Sequence, residues 1–267
     1  MTTKFGDQDW ALILGASSGF GEATALELSA QGMNICGVHL DRRGTLPHVQ
    51  EVTDAIQKNN RKPLFFNINA ADEEKRSEVV ASLKSQIGDG LVRVFMHSLA
   101  FGTLKPFLGN TPEEQITPAQ MNMTLDVMAH SLVYWVQDLL KEGLLRDGSR
   151  IFAMTSSGSL VMAPTYGAVS AAKCALESHV RQLTLELAGR GITINAIRAG
   201  VTDTPSLQKI PGHDVMIEAA LKRNPAGRLT TPQDVAKAIA ALSHSEIGWL
   251  TGNVINVDGG EMIVGTK

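Results

Sequence analysis

The chain has 267 residues, a formal net charge of −3, 43% apolar and 19% charged residues. That is enough apolar material for one large core. No Lys/Arg cluster suggests a nucleic-acid groove or an anionic membrane surface, and no apolar run reaches the ~18 residues of a membrane span. The two cysteines, Cys36 and Cys174, are too few for a disulfide framework and their spacing suggests no metal site. The N-terminal "MTTKFGDQDW" lacks the apolar stretch of a secretory signal, so a cytoplasmic location is expected.

Strand-like and helix-like segments alternate along the chain. "WALIL" (10–14) predicts the first strand and "FGEATALELSAQG" a helix. "MNICGVHL" reads as strand, "LPHVQEVTDAIQKNN" as amphipathic helix and "KPLFFNIN" as strand. Asp72 to Ile87 reads as helix and "VRVFMHS" as strand. Long helices are expected over Pro118 to Glu142 and over 164–188, with "SRIFAMTS" a strand between them. "GITINAI" is a sixth strand. "TPQDVAKAIAALS" is a helix with Thr231 as N-cap and Pro232 at its first position. "NVINVDGG" is a last strand and turn. Near-continuous apolar strands separated by helices predict a single-domain, Rossmann-like, doubly wound parallel sheet of seven strands over residues 1–267. Thr202 to Pro225 shows no clear periodicity. It is expected to be an irregular substrate lid over 202–225, at the carboxyl edge of the sheet.

"LILGASSGFGEA" places Gly15, Gly19 and Gly21, with Ser17, Ser18 and Phe20 between them, directly after the first strand. Glycines suit a turn that brings backbone amides and a helix N-terminus against a pyrophosphate. The spacing is GxxxGxG. The strand-end position that meets an adenosine ribose falls at His39, which is not a carboxylate, and Arg42 and Arg43 follow it. Two arginines there favour the 2′-phosphate of NADPH, with NADH still possible because Asp41 precedes them. Asn67 and Ile68, after the third strand, are expected at the adenine. The remaining pair that carries chemistry is Tyr166 and Lys173 in "YGAVSAAK". On a helix, seven positions are nearly two turns, so both side chains would share a face.

These features together resemble the short-chain dehydrogenase/reductase family: Gly15/Gly19/Gly21, "HSLA" after strand four, the Tyr/Lys pair, "NAIRAG" after strand six and "VDGG" near the end. The resemblance covers almost the whole chain. It implies that Tyr166 stabilises a developing oxyanion and that Lys173 holds the nicotinamide ribose and eases proton transfer. Most of the family sets tyrosine four before lysine, and that position here is Val169. The wider YxxxxxxK spacing is similar to that of the enoyl-acyl-carrier-protein reductases. "MHSLAFG" resembles their segment after strand four, and Asp126 stands where most relatives have a catalytic asparagine. "NAIRAGVTDT" resembles their strand-six turn, with Ala199 for the usual proline. Ser156 stands where most enoyl reductases have a second tyrosine and ordinary ketoreductases a catalytic serine. With its ordinary glycine motif, the chain looks most like the less common, NADPH-using enoyl reductases.

The resemblance implies that His97, Ser98, Leu99 and Ala100 lie beside the cofactor, with Gly200, Val201, Thr202 and Thr204, and Ile197 near them. Phe101, Ser156, Met216 and Leu221 are expected at the substrate, with Ile217 beside them. It also implies no metal, an acyl thioester carried on acyl carrier protein (met by Lys105, Lys209, Lys222 and Arg223) and a homotetramer. A carbonyl or 3-ketoacyl reductase using Ser156 with Tyr166, and a cofactor-binding sensor without turnover, are the alternative readings.

Overall fold

The computed structural model describes residues 5–265. Seven strands form one sheet: β1 (Asp9–Leu14), β2 (Asn34–His39), β3 (Pro63–Asn67), β4 (Leu91–His97), β5 (Arg150–Thr155), β6 (Thr193–Ala199) and β7 (Val254–Val257). Their order is β3-β2-β1-β4-β5-β6-β7 and every pairing is parallel. The helices are α1 (Gly19–Ala30), α2 (Leu46–Lys58), α3 (Glu73–Ile87), α4 (Pro118–Leu125), α5 (Ser131–Lys141), α6 (Gly167–Leu187), α7 (His213–Arg223) and α8 (Pro232–Leu242). This is the expected doubly wound fold.

Period-two alternation sends β1 side chains to two separate cores. Leu12 and Leu14 join a core built with α3, α5 and α6, where Leu83, Trp135 and Leu176 are fully buried. Ala11 and Ile13 join a second core with α1, α2 and α8, through Leu28, Ile56 and Ile239. Burial on both faces explains why the strands read as apolar runs rather than alternating ones.

The strand register places the site. Leu14 pairs with Val38 on one side and with His97 on the other; His97 pairs with Ala153, Thr155 with Arg198, and Ala199 with Val257. The strands therefore end together, and the segments that follow them line one edge. The chain reverses its direction of travel across the sheet between β1 and β4, where a crevice opens in such sheets.

Three boundaries differ from the sequence expectation. The long helix over Pro118–Glu142 is broken by a π turn at Asp126–His130, where the Ser131 hydroxyl donates to the Val127 carbonyl at 2.8 Å. The helix expected from 164 starts at Gly167, because Thr165 takes a φ of +60°, which no right-handed helix accommodates. Thr202–Pro225 is not irregular: it holds a 3₁₀ turn at Leu207–Lys209 and helix α7. Alanine, isoleucine and leucine give α7 its propensity, but only Ala220 is buried, so no strong apolar stripe marked it in the sequence. The expected cap of α8 is present: the Thr231 hydroxyl accepts from the Asp234 amide at 3.2 Å, with Pro232 following.

The Trp135 indole N–H donates to the buried end of the β3–α3 connection, at the Ala70 carbonyl, 2.8 Å away. Trp135→Phe leaves that acceptor without its partner. The substitution is expected to lower unfolding free energy by about 1–3 kcal/mol, measured by chemical denaturation at an unchanged slope.

Candidate active site

The glycine turn is a cradle closed by backbone. Gly15 has φ +85°, and a Cβ there would lie 2.5 Å from the Ser98 carbonyl. A Cβ on Gly21 would collide with the Gly15 carbonyl. The amides of Gly15 and Ala16 are held by the Val38 carbonyl at 2.8 and 3.1 Å, and the Ser98 amide by the Leu14 carbonyl at 3.0 Å. Gly19, φ +57°, opens α1, and a Cβ on it would lie 3.5 Å from the Thr204 methyl, so the start of the 202–225 segment lies over the turn. Ser17 and Phe20 are half-buried and Ser18 is exposed at the same turn. These residues, at a helix N-terminus, suit a dinucleotide pyrophosphate.

At the end of β2, His39 is buried and its Nδ1 lies 2.9 Å from an Asp41 carboxylate oxygen. Thr45 and Ser17 also bond that carboxylate, and with His39 they hold its pKa below the ordinary value although burial opposes them. Arg42 and Arg43 are exposed and make no ion pair among the described residues. The Asn67 side chain is spent on the backbone: its oxygen accepts from the Asp41 amide at 2.9 Å and its nitrogen donates to the Asp41 carbonyl at 3.0 Å. It clasps the β2 and β3 ends together. The Ile68 amide donates to the His39 carbonyl at 2.8 Å.

The chemical groups meet beyond β5. Tyr166 is the residue before α6, not a member of it. The strained Thr165 directly precedes it, so the phenol's direction is set by a turn, not by helical periodicity. Its hydroxyl is 3.5 Å from the Ser156 hydroxyl, which also accepts from the Gly158 amide at 3.2 Å. Burial raises the phenol pKa and the Ser156 contact partly offsets it, so Tyr166 is held as a neutral donor. Lys173 is buried on α6, and its ammonium donates to the carbonyls of Met154 at 2.7 Å and Leu99 at 3.4 Å. Burial pulls its pKa down to about 8, against the attraction of Glu177 one turn along. Val169 is buried in the first core. Tyr134 lies under the Arg76 guanidinium, 5.5 Å from its ring centre. Tyr166 is thus the phenol beside Ser156.

Other expected site residues divide. Ser98 and Leu99 are half-buried and Ala100 and Phe101 exposed at the end of β4. His97 is fully buried, with Nε2 2.8 Å from the Ser131 hydroxyl. Burial first, then the Lys173 charge, push its pKa down to about 3. Alternation along β4 puts its side chain on the same face as Phe95, toward Ser131 of α5. Gly200 is buried after β6, the Val201 amide donates to the buried Glu261 carboxylate at 3.0 Å, and Thr202 and Thr204 are buried. Ile197 is a core residue. Asp126 begins the π turn and lines a surface cleft with Asn122, Met123, Leu125 and His130. On α7, Met216 and Ile217 are half-buried and Leu221 exposed. Lys222 pairs with Glu218 and Arg223 with Glu261, and the Lys105 ammonium donates to the Glu113 carbonyl.

The sequence reading missed the buried pair of Arg198, on β6, and Glu177, on α6, 3.0 Å apart. Only their tertiary juxtaposition makes them a site feature, and they lie 21 residues apart in sequence. It also missed Gly158. A Cβ there would collide with the Tyr166 ring.

Among the described residues, no group of three or more His, Cys, Asp or Glu side chains could hold a metal, and no helix is long and apolar enough to cross a membrane. A sheet-edge glycine cradle with a serine, tyrosine and lysine beyond it defines a reductase class. Residues 15–261 match the family described as enoyl-(acyl carrier protein) reductase. The chain belongs to the short-chain dehydrogenase/reductase family, a class of oxidoreductases. It is 31% identical over 260 residues to a 1-cyclohexenylcarbonyl-CoA reductase of Streptomyces collinus, covering 95% of this chain and 87% of the relative. It is 26% identical to a 3-oxoacyl-[acyl-carrier-protein] reductase of Haemophilus influenzae, over 94% of this chain and 96% of that one. The crystal structure of an enoyl-[acyl-carrier-protein] reductase (NADH) of Aquifex aeolicus superposes with a TM-score of 0.83 at 24% identity, over 98% of this chain and all of the other; at that identity it supports the fold alone.

Two outcomes follow. Gly158→Ala is expected to push the phenol aside and cut kcat by about 100-fold, with cofactor affinity little changed by fluorescence titration. With Lys173 in the proton-easing role that the resemblance implies, kcat/KM is expected to fall as pH rises through about 8, to which burial lowers the amine.

Proposed function

We propose that this protein reduces the trans-2 double bond of an enoyl thioester with NADPH. The observation that carries the reading is the placement of Tyr166 at the mouth of α6, seven residues before Lys173 and beside Ser156. In the commoner four-residue spacing the phenol would stand at Val169, which is core. Moving it back three positions takes it about 4.5 Å further from Lys173 along the helix axis. That reach suits an oxygen two carbons beyond a hydride acceptor, as in an enoyl thioester. In a ketone the oxygen is on the acceptor carbon itself.

The reduced nicotinamide supplies the hydride when bound. Gly15, Gly19 and Gly21 would hold its pyrophosphate, and Lys173 its ribose. Arg42 and Arg43 are free to meet a 2′-phosphate, which supports NADPH, whereas the Asp41 carboxylate beside Ser17 is the feature that would favour NADH. Tyr166 donates a hydrogen bond to the thioester oxygen as negative charge builds on it, and Ser156 orients the phenol. The Lys173 charge favours the phenolate if the proton moves. Phe101 and the half-buried Met216 offer apolar surface to the acyl chain, with Leu221 at its outer end. Lys209 is an exposed cation for an acidic carrier, with the half-buried Lys105 beside the Glu113 carbonyl, and a homotetramer in the cytoplasm is the assembly and place proposed.

A second reading, reduction of a 3-oxoacyl thioester, draws on Ser156 within reach of the phenol and on the 3-oxoacyl relative. Cofactor oxidation separates the two when crotonyl and acetoacetyl thioesters are offered with NADPH and NADH. Turnover of the crotonyl substrate, reduced about 100-fold or more in Tyr166→Phe, is the expected result; turnover of the acetoacetyl substrate alone would replace it with the second reading. Arg42→Ala is expected to raise the KM for NADPH about tenfold and leave that for NADH unchanged, consistent with loss of a charge-assisted contact.

A further inference from the structure

A buried ion pair sits behind the catalytic groups and joins three elements that carry them. Arg198, near the end of β6, is 7% exposed. One of its terminal nitrogens, Nη2, donates to a Glu177 carboxylate oxygen at 3.0 Å and to the Ser159 hydroxyl at 3.2 Å. The same Glu177 oxygen accepts from the Thr155 hydroxyl at 2.7 Å, at the last residue of β5. The Ser159 hydroxyl in turn donates to the Ser156 carbonyl at 3.1 Å. The other terminal nitrogen reaches the Asn256 side chain on β7 at 3.4 Å.

Each contact leads to the chemistry. Glu177 lies one helical turn after Lys173, so the two side chains share a face of α6. Ser159 closes the 3₁₀ turn that holds Ser156 against the phenol. A buried carboxylate near a buried ammonium raises the proton affinity of the amine unless another cation engages it. Arg198 is that cation. Other titratable or charged groups on the elements around Lys173 are Arg93 and His97 on β4, Arg150 on β5, Asp126 and His130 in the π turn, and Tyr166, Cys174, His179, Arg181 and Glu186 on or before α6. His97 is neutral over the ordinary range, and His130 and His179 bond each other at 3.0 Å.

We propose that Arg198 is a positioning residue of the active site, which engages Glu177 so that the carboxylate does not over-stabilise the Lys173 ammonium, and which anchors the Ser156 turn through Ser159. It touches neither substrate nor reacting atoms. The proposal rests on the family's tyrosine–lysine chemistry but is independent of whether the substrate is an enoyl or an oxo thioester.

The test follows Lys173 itself, without substrate. The rate of its acetylation by acetic anhydride is read by peptide mass spectrometry across pH, for the full-length protein and for Arg198→Met, Glu177→Gln, the double variant and Arg198→Lys. The titration midpoint is expected to rise by about one pH unit in Arg198→Met, where Glu177 is uncompensated, and to fall in Glu177→Gln. The double variant should lie between them and Arg198→Lys near the parent. The high-pH limb of kcat/KM for whichever thioester the parent turns over should move in the same order. A role in folding alone would lower melting temperature in every variant and leave the midpoint in place, and that result would overturn the proposal. If Arg198→Met fails to fold, Glu177→Gln against the parent gives the decision: a midpoint no lower than the parent's would show that the carboxylate does not act on Lys173 and would sink the idea. Absence of turnover with either thioester would count against the proposed function and leave the labelling result to decide this one.

Discussion

An ammonium group with almost no access to water must be held by something other than solvent, and here the Met154 carbonyl does so at 2.7 Å. That one hydrogen bond ties α6 to the end of β5. It fixes where Lys173 stands under the carboxyl edge of the sheet, and through the helix it fixes where Tyr166 begins. The sheet register then decides what can meet the pair. Because the strands end together, the glycine turn, the Ser98 segment, the Ser156 turn and the Gly200 turn all open onto the same edge.

The site is dry where proton affinity has to be tuned and open where a substrate must enter. Burial lowers the affinity of Lys173 and keeps His97 neutral, while it makes Tyr166 a reluctant acid. A phenol that resists ionisation needs a nearby positive charge to release a proton, and in the proposed reaction Lys173 is that charge. Outside this pocket the surface is apolar: Phe101, Leu160 and Met162 are each more than half exposed around the Ser156–Tyr166 segment. Exposed apolar side chains beside a polar reaction centre are consistent with an acyl substrate. The small space beside the phenol is equally purposeful, since Gly158 leaves room that any side chain would fill.

Much of this was legible in the chain. The seven strands, their burial on both faces, the glycine turn and the Thr231 cap follow from local rules: apolar runs, turn residues and capping chemistry act over a few residues. Helix α7 was not legible, because a helix that buries one alanine leaves no periodic stripe. The break at Asp126–His130 was hidden for a different reason. A π turn costs one misplaced hydrogen bond, and what stabilises it is Ser131 reaching both its own backbone and His97, 34 residues away.

The sequence by itself determined the type of fold and singled out the candidate pair Tyr166 and Lys173, since both depend on residue types at short spacings. Tertiary structure alone decided that Tyr166 stands outside α6 behind a left-handed Thr165, that Asn67 clasps the backbone of Asp41, and that His97 faces the interior. It also decided that Arg198 finds Glu177. Charge and burial act through space, and residues brought together by β5, β6 and α6 have no common neighbourhood until the sheet has formed.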